Sequence, residues 1–326
     1  MTHNHNIAII GAGLAGISAA QALTQSGHRV TLYDKSRGSG GRMCSKRTTE
    51  GDFDIGAQYF TARDSQFRQE VKRWLDQGWV TEWNPRLYRY DDHGLAPSED
   101  DQQRFVGTPR MTAWSRHLLE GLELVGETRI VRLHPEANRQ WLLVDEHDRH
   151  YGPYDRVVIA TPAPQAVPLL EAAPQLAQTA AQVQMEAGWA LALAFEQPLT
   201  TSVDACFVRT GPLDWVARNS SKPGRAGLDT WVVQSTASWA EDHLDLKPEA
   251  VTQQLGNALA EVLGLPLPPP VQSHAHRWLY ARPNGEYNWG ALAAPELGVY
   301  VCGDWCLGGR LENAWLSGLQ AARTLA

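Results

Sequence analysis

Asn6-Ile7-Ala8-Ile9-Ile10-Gly11-Ala12-Gly13-Leu14-Ala15-Gly16 is the stretch whose reading decides the fold. Its first five residues are mostly apolar and rich in β-branched side chains, as a buried parallel strand requires. A G-x-G-x-x-G pattern follows, and Leu14–Ser26 then reads as a small-residue helix stopped by Gly27. Arg29-Val30-Thr31-Leu32-Tyr33 reads as a second strand ending at Asp34. Each glycine has its own task. Gly11 makes the tight turn, Gly13 leaves room for pyrophosphate oxygens, and Gly16 lets helix and strand approach. The helix N-terminus around Ala12 and Ala15 offers free N–H groups and a partial positive charge to phosphate. Asp34 stands eighteen residues beyond Gly16, where a carboxylate accepts hydrogen bonds from an adenosine ribose and repels a 2′-phosphate. The chain therefore opens with a dinucleotide-binding βαβ unit.

The next segment separates one dinucleotide from another. Lys35-Ser36-Arg37-Gly38-Ser39-Gly40-Gly41-Arg42-Met43 sets a glycine pair and an arginine just after the ribose-binding acid. A guanidinium fork suits a diphosphate, because it makes paired, charge-assisted hydrogen bonds. Far downstream, Val299–Cys302 reads as a strand running into Gly303-Asp304, and a helix follows at Glu312-Asn313-Ala314-Trp315. Thr161-Pro162 ends a further strand at Val157–Ala160. Together these segments resemble the FAD-dependent amine oxidase superfamily. That resemblance implies FAD, held non-covalently, with the last helix aimed at the flavin edge that gains negative charge on hydride uptake. It also implies the contact residues: Gly11, Ala12, Gly13, Ala15, Gly16, Asp34, Lys35, Gly41, Arg42, Gly56, Ala57, Val131, Thr161, Gly303, Asp304, Arg310, Leu311 and Asn313.

Bulk properties set the outer limits. A chain of 326 residues, 43% hydrophobic and 20% charged, is ample for two globular lobes. A formal charge of -7 gives no general attraction to nucleic acid or anionic lipid. Cys44, Cys206, Cys302 and Cys306 show no zinc spacing and read as reduced structural residues. Ile7–Ala22 is apolar but lacks a basic leader and a cleavage site, so no export signal or membrane span is expected. With the cysteines reduced and without ligand spacing, the expectation is a cytoplasmic protein without metal. Oligomeric state is not legible.

The expected architecture is α/β: a Rossmann-like FAD-binding domain carrying an inserted mixed-sheet α+β substrate domain, of the amine-oxidase and p-hydroxybenzoate-hydroxylase type. Residues 1–65, 104–165 and 297–326 are assigned to the first, 66–103 and 166–296 to the second. Helices are expected over Gln66–Gln77, Met111–Leu122, Glu249–Leu263 and Glu312–Leu325. Strands are expected at Thr128–Leu133, Gln140–Asp145, Asp155–Ile159, Leu191–Phe195, Asp214–Asn219, Thr230–Ser235, Ser273–Tyr280 and Gly298–Cys302. Trp79–Tyr90 alternates like β-structure, and Asp91–Gln103 reads as a surface loop.

Three phrases narrow the resemblance: Asp54-Ile55-Gly56-Ala57-Gln58-Tyr59-Phe60-Thr61, the run Trp215–Arg225, and His276-Arg277-Trp278-Leu279-Tyr280-Ala281. With the short length they look like the bacterial renalases. Such enzymes take hydride from 2- or 6-dihydro isomers of NAD(P), giving NAD(P)+, and pass two electrons to dioxygen to form hydrogen peroxide. The implied partners are a dihydronicotinamide dinucleotide and O2. Aromatisation drives this hydride transfer, so no catalytic acid or base is required; the need is for walls that stack a ring. Gln58, Tyr59, Phe60, Thr61, His276, Trp278, Tyr280, Trp289 and Trp305 are the candidate walls. An FAD-dependent amine oxidase or desaturase is the alternative, and a non-catalytic flavin- or dinucleotide-binding sensor a second. Superfamily amine oxidases generally keep a lysine near the flavin. Here segment 166–296 of the substrate domain offers only Lys222 and Lys247, neither in a convincing strand position, which favours the dihydronicotinamide. Arg218, Lys222 and Arg225 read equally well as a solvated hairpin tip, and Asp52 with Asp54 as loop-forming residues.

Overall fold

In the computed structural model, which describes residues 4–325, Asn6–Ile10 runs through a six-stranded sheet. Residues 1–3 and 326, the two ends of the assigned cofactor domain, lie outside the described residues. Asn6–Ile10 pairs in parallel with Arg29–Tyr33 on one side and Arg156–Ile159 on the other. Glu123–Val125 and Val299–Val301 extend the parallel sheet, and Leu292–Ala294 closes one edge antiparallel. Strands covered on both faces must be apolar throughout, and Ile7, Ala8, Ile9, Val157, Val158 and Ile159 are all fully buried.

Helix Leu14–Gln25 lies on this sheet and packs along the last helix, Leu311–Leu325. The two backbones touch, since a Cβ on Gly318 would stand 2.1 Å from the Ala15 carbonyl oxygen. Ser18 Oγ donates to the Trp315 carbonyl at 2.8 Å. Opposite ends of the chain thus form one unit.

The substrate domain is built on a seven-stranded sheet ordered Gln272–Asn284, Gln184–Phe195, Asp229–Ser235, Leu213–Arg218, Ala205–Val208, Leu87–Asp91, Gly94–Pro97. Leu87–Asp91 joins it in parallel with Ala205–Val208. Residues 87–97 thus join a sheet otherwise built from residues 184–284, while Phe67, Val71, Trp74 and Val80, expected in the same domain, pack with Ile7 and Ile9 in the core of the first sheet. The two faces of the seven-stranded sheet follow from one strand, where Trp189-Ala190-Leu191-Ala192-Leu193-Ala194-Phe195 alternates large and small with period two. Large side chains meet helix Pro248–Leu263 through Val251, Leu255 and Leu259. The alanine face accepts Phe53 and Ile55, laying segment 52–55 flat across the sheet.

Several elements depart from expectation. Asp91–Gln103 is not all loop: Gly94–Pro97 returns as a strand on Leu87–Asp91. Short strands at Ala205–Val208, His150–Tyr154 and Leu292–Ala294 carry too little periodicity to be read locally. Gln184–Phe195 and Gln272–Asn284 are far longer than expected, because their mutual pairing continues past the apolar core. No described helix is long and apolar enough to cross a membrane. The four cysteines are free, and no group of three or more His, Cys, Asp or Glu among the described residues is placed to hold a metal.

Candidate flavin and substrate site

A cleft of about 980 Å³ runs between the two sheets. It is lined by Gly11, Gly13, Ala15, Asp34, Lys35, Gly41, Arg42, Gly56, Ala57, Val131, Thr161, Gly303, Asp304, Arg310 and Leu311, so widely spaced segments converge on one space. Ala12 and Gly16 stand just behind that surface. A Cβ on Gly16 would come 2.0 Å from the Gly11 carbonyl oxygen, so glycine there is a packing requirement. Asn313 turns its amide to the Leu307 carbonyl at 2.6 Å instead of into the cleft.

Asp34 organises the first turn. Its Oδ2 accepts from the Ala12 N–H and its Oδ1 from the Ser36 N–H, both at 2.8 Å. Arg42 spans the cleft floor, donating to both carboxylate oxygens of Asp304 at 2.5 and 3.1 Å and to the Ala281 carbonyl at 3.2 Å. The arginine read as a diphosphate clamp is thus held by an aspartate that the resemblance also implies as a cofactor contact.

FAD fits these residues on three observations. A Cβ on Gly13 would meet nothing within 4 Å, so its missing side chain leaves open space where the phosphates would pass. Thr161 Oγ1 is buried without a protein partner and lines the same cleft. A Cβ on Gly56 would lie 2.0 Å from the Arg42 carbonyl oxygen, so only glycine lets segment 54–58 lie this close to the Arg42 turn.

At the ring end, register does the positioning. Phe207 pairs with Trp215, Trp215 with Gln234, Gln234 with Ala190, and Ala190 with His276. These five form one row across five strands. Ala190, between Gln234 and His276, keeps that part of the row low, while Gln234 donates to the Gly56 carbonyl at 2.9 Å and Trp278 Nε1 to the Ile55 carbonyl at 2.9 Å. A side chamber of about 330 Å³ opens here, lined by Gln58, Tyr59, Phe207, Arg209, Asp214, Trp215, Gln234 and Arg282. Asp214, Gln234 and Arg282 border both spaces, so chamber and cleft adjoin.

Of the expected walls, Gln58 and Tyr59 line the chamber and His276, Trp278 and Tyr280 the cleft. Burial pushes the His276 imidazole down, which favours its neutral form. Phe60 is instead core, stacked on Trp114 at 4.7 Å. Trp289 and Trp305 pack beside the cofactor sheet, Trp305 donating to the Thr161 carbonyl at 3.0 Å. Thr61 Oγ1 accepts from Arg310 at 2.7 Å. Phe207, Trp215, Gln234, Arg209 and Arg282 were not singled out as site residues. Only the cross-strand register reveals them, because residues on different strands share a face in no linear pattern.

Lys222 and Arg225 are not on a solvated tip. Their side chains are 0% and 1% exposed, folded under segment 54–58 onto Asp54, which is 1% exposed. Lys222 Nζ donates to Asp54 Oδ2 at 3.2 Å, Gln58 Oε1 at 3.1 Å and Asn219 Oδ1 at 3.2 Å. Arg225 reaches the same Asp54 oxygen at 2.5 Å. Nor is Asp54 a loop residue: it ends the strand Asp52–Asp54, and Asp52 is paired with Arg110 at 2.8 Å. Burial disfavours the Asp54 charge, but Lys222 and Arg225 overcome that and hold the carboxyl at about 2. Burial pushes Lys222 down to about 8, opposed by Asp54 and aided by Arg225. The chain therefore does keep a buried lysine beside the site, one hydrogen bond behind the chamber wall at Gln58.

Comparison with known proteins agrees with this geometry. Residues 9–77 match an NAD(P)-binding Rossmann-like domain, and residues 98–326, more than half of the chain, match the family described as flavin containing amine oxidoreductase. The chain belongs to the flavin-containing amine oxidoreductases. Membership implies an FAD-type flavin and oxidoreductase chemistry.

Among curated proteins, it is 28% identical over 311 residues to the tRNA 5-methylaminomethyl-2-thiouridine biosynthesis bifunctional protein MnmC of Magnetococcus marinus, covering 79% of this chain and 43% of that one. It is 36% identical over 94 residues to the L-amino-acid oxidase of Siganus canaliculatus, 28% of this chain and 16% of the other. The chain thus spans less than half the length of these curated relatives. Among solved structures, wild-type putrescine oxidase bound to putrescine superposes with a TM-score of 0.74 at 13% identity, over 100% of this chain and 99% of that one. At that identity the likeness speaks for the fold.

Proposed function

We propose that the protein is a renalase-like oxidase that holds FAD non-covalently and takes hydride from 2- or 6-dihydro isomers of NAD(P), releasing NAD(P)+. The observation that carries this is the makeup of the side chamber. Tyr59, Phe207 and Trp215 wall it, with Tyr59 and Trp215 ring centroids 5.3 Å apart and Phe207 and Trp215 4.8 Å apart. Gln58 and Gln234 supply amides, and the lone carboxylate in its lining, Asp214, is tied to Arg282 at 3.2 Å. No unpaired carboxylate is therefore offered to an ammonium ion. A dihydropyridine asks for stacking and exclusion of other poses, and needs no base. When bound, FAD would supply the hydride acceptor and, in air, pass both electrons to dioxygen to give hydrogen peroxide.

Amine oxidation or desaturation is the second reading, favoured by the buried Lys222 at the back of Gln58. Anaerobic mixing separates the two. Rapid bleaching of the flavin by 6-dihydro-NAD, and none by primary amines, is expected; bleaching by amines alone would establish the second reading, and silence towards both a binding-only protein. Acid precipitation should release the flavin into the supernatant, and colour kept in the pellet would show a covalent bond.

A further inference from the structure

Charge in the side chamber is lopsided. Arg282 is neutralised twice, by Glu186 at 2.6 Å and Asp214 at 3.2 Å. Arg209 has no acid within salt-bridge distance among the described residues; its guanidinium lies 5.3 Å from the Phe207 ring centroid. It stands just past the strand Ala205–Val208 and lines the same chamber as Phe207. The space thus has an aromatic interior and one uncompensated cation at its mouth.

We infer that the side chamber is a binding site for a flat ring carrying an anionic group, the ring against the aromatic wall of Tyr59, Phe207 and Trp215 and the anion on Arg209. This deepens the proposed reading and rests on it for the ring. A guanidinium already stacked on an aromatic face is partly ordered, so less freedom is lost when its fork closes on a carboxylate or phosphate. A cationic amine would meet repulsion at the same point. The anion either sits on the ring, as a carboxylate, or beyond it, as a phosphate.

Calorimetric titration of the oxidised holoenzyme tests this without turnover, using benzoate, phenyl phosphate, benzamide and benzylamine as probes. The better of the two anions should bind about tenfold tighter than benzamide, and which one wins tells where the negative charge belongs. Arg209→Gln should erase that preference while leaving benzamide affinity in place, and Arg209→Lys should restore part of it. Equal affinities, a preference surviving in Arg209→Gln, no binding of any probe, or benzylamine as the tightest ligand would each overturn the assignment. Anion selection without bleaching by dihydronicotinamides would leave the chamber assignment standing and remove the proposed hydride donor.

Discussion

Asp54 shows how a single residue acquires a meaning that its neighbours in the chain do not supply. In sequence it sits two positions from Asp52 and looks like a polar loop. In the fold its carboxylate is buried and holds Lys222, Arg225, Ser45 Oγ at 2.8 Å and the Met111 N–H at 3.1 Å. Asp54→Asn leaves two interior cations without their anion and should cost about 3–5 kcal/mol, read as a lowered urea midpoint. The sign with pH follows from the depressed carboxyl. Its contribution is present above the unfolded-state value of about 4 and fades as pH falls towards about 2, where the folded carboxyl takes a proton. Melting curves of the parent protein should therefore steepen their decline over that window, and those of Asp54→Asn should not. Arg42→Ala frees Asp304 from a paired contact on the cleft floor and should weaken FAD retention by about 1.5–3 kcal/mol. Apoprotein titration with FAD measures this, and an unchanged affinity would confine the Arg42–Asp304 pair to a structural role.

Among elements, the turn and the sheet row divide the work. The glycine turn was legible because its spacing is local: strand, turn and helix are consecutive, and the required backbone approach leaves a chemical signature. Gly13 and Gly56 separate ligand space from protein space. Gly13 has a φ of -76°, and a methyl there meets no protein atom. Gly13→Ala should keep the apoprotein's melting temperature yet lower FAD affinity about tenfold or more, since the methyl enters the phosphate path. Gly56→Ala should lower both, with a stability loss of about 1–3 kcal/mol from overpacking against the Arg42 backbone. Equal effects of the two changes on the apoprotein would refute this division. The row from Phe207 to His276 was not legible, because pairing register, and not spacing along the chain, puts those side chains on one face.

For the molecule as a whole, the cleft lining comes from the first turn, the middle and the last helix, so a ligand filling it should be felt by all three. FAD at a hundred times its dissociation constant should stabilise the protein by about 2.7 kcal/mol through mass action. A thermal shift rising with FAD concentration checks this, and its absence would mean that the chain ends do not close on the dye.

From the sequence alone came the βαβ unit, the acid at Asp34 and the flavin class, because each depends on short-range spacing with a backbone cause. Only the tertiary structure decided that Arg42 and Asp304 hold each other, that Lys222 is interior, and that Arg209 shares a chamber with Tyr59, Phe207 and Trp215. Those facts depend on which strands become neighbours and on which charges are carried into the interior together. Both are settled by burial and pairing across more than a hundred residues, and neither leaves a mark in local composition.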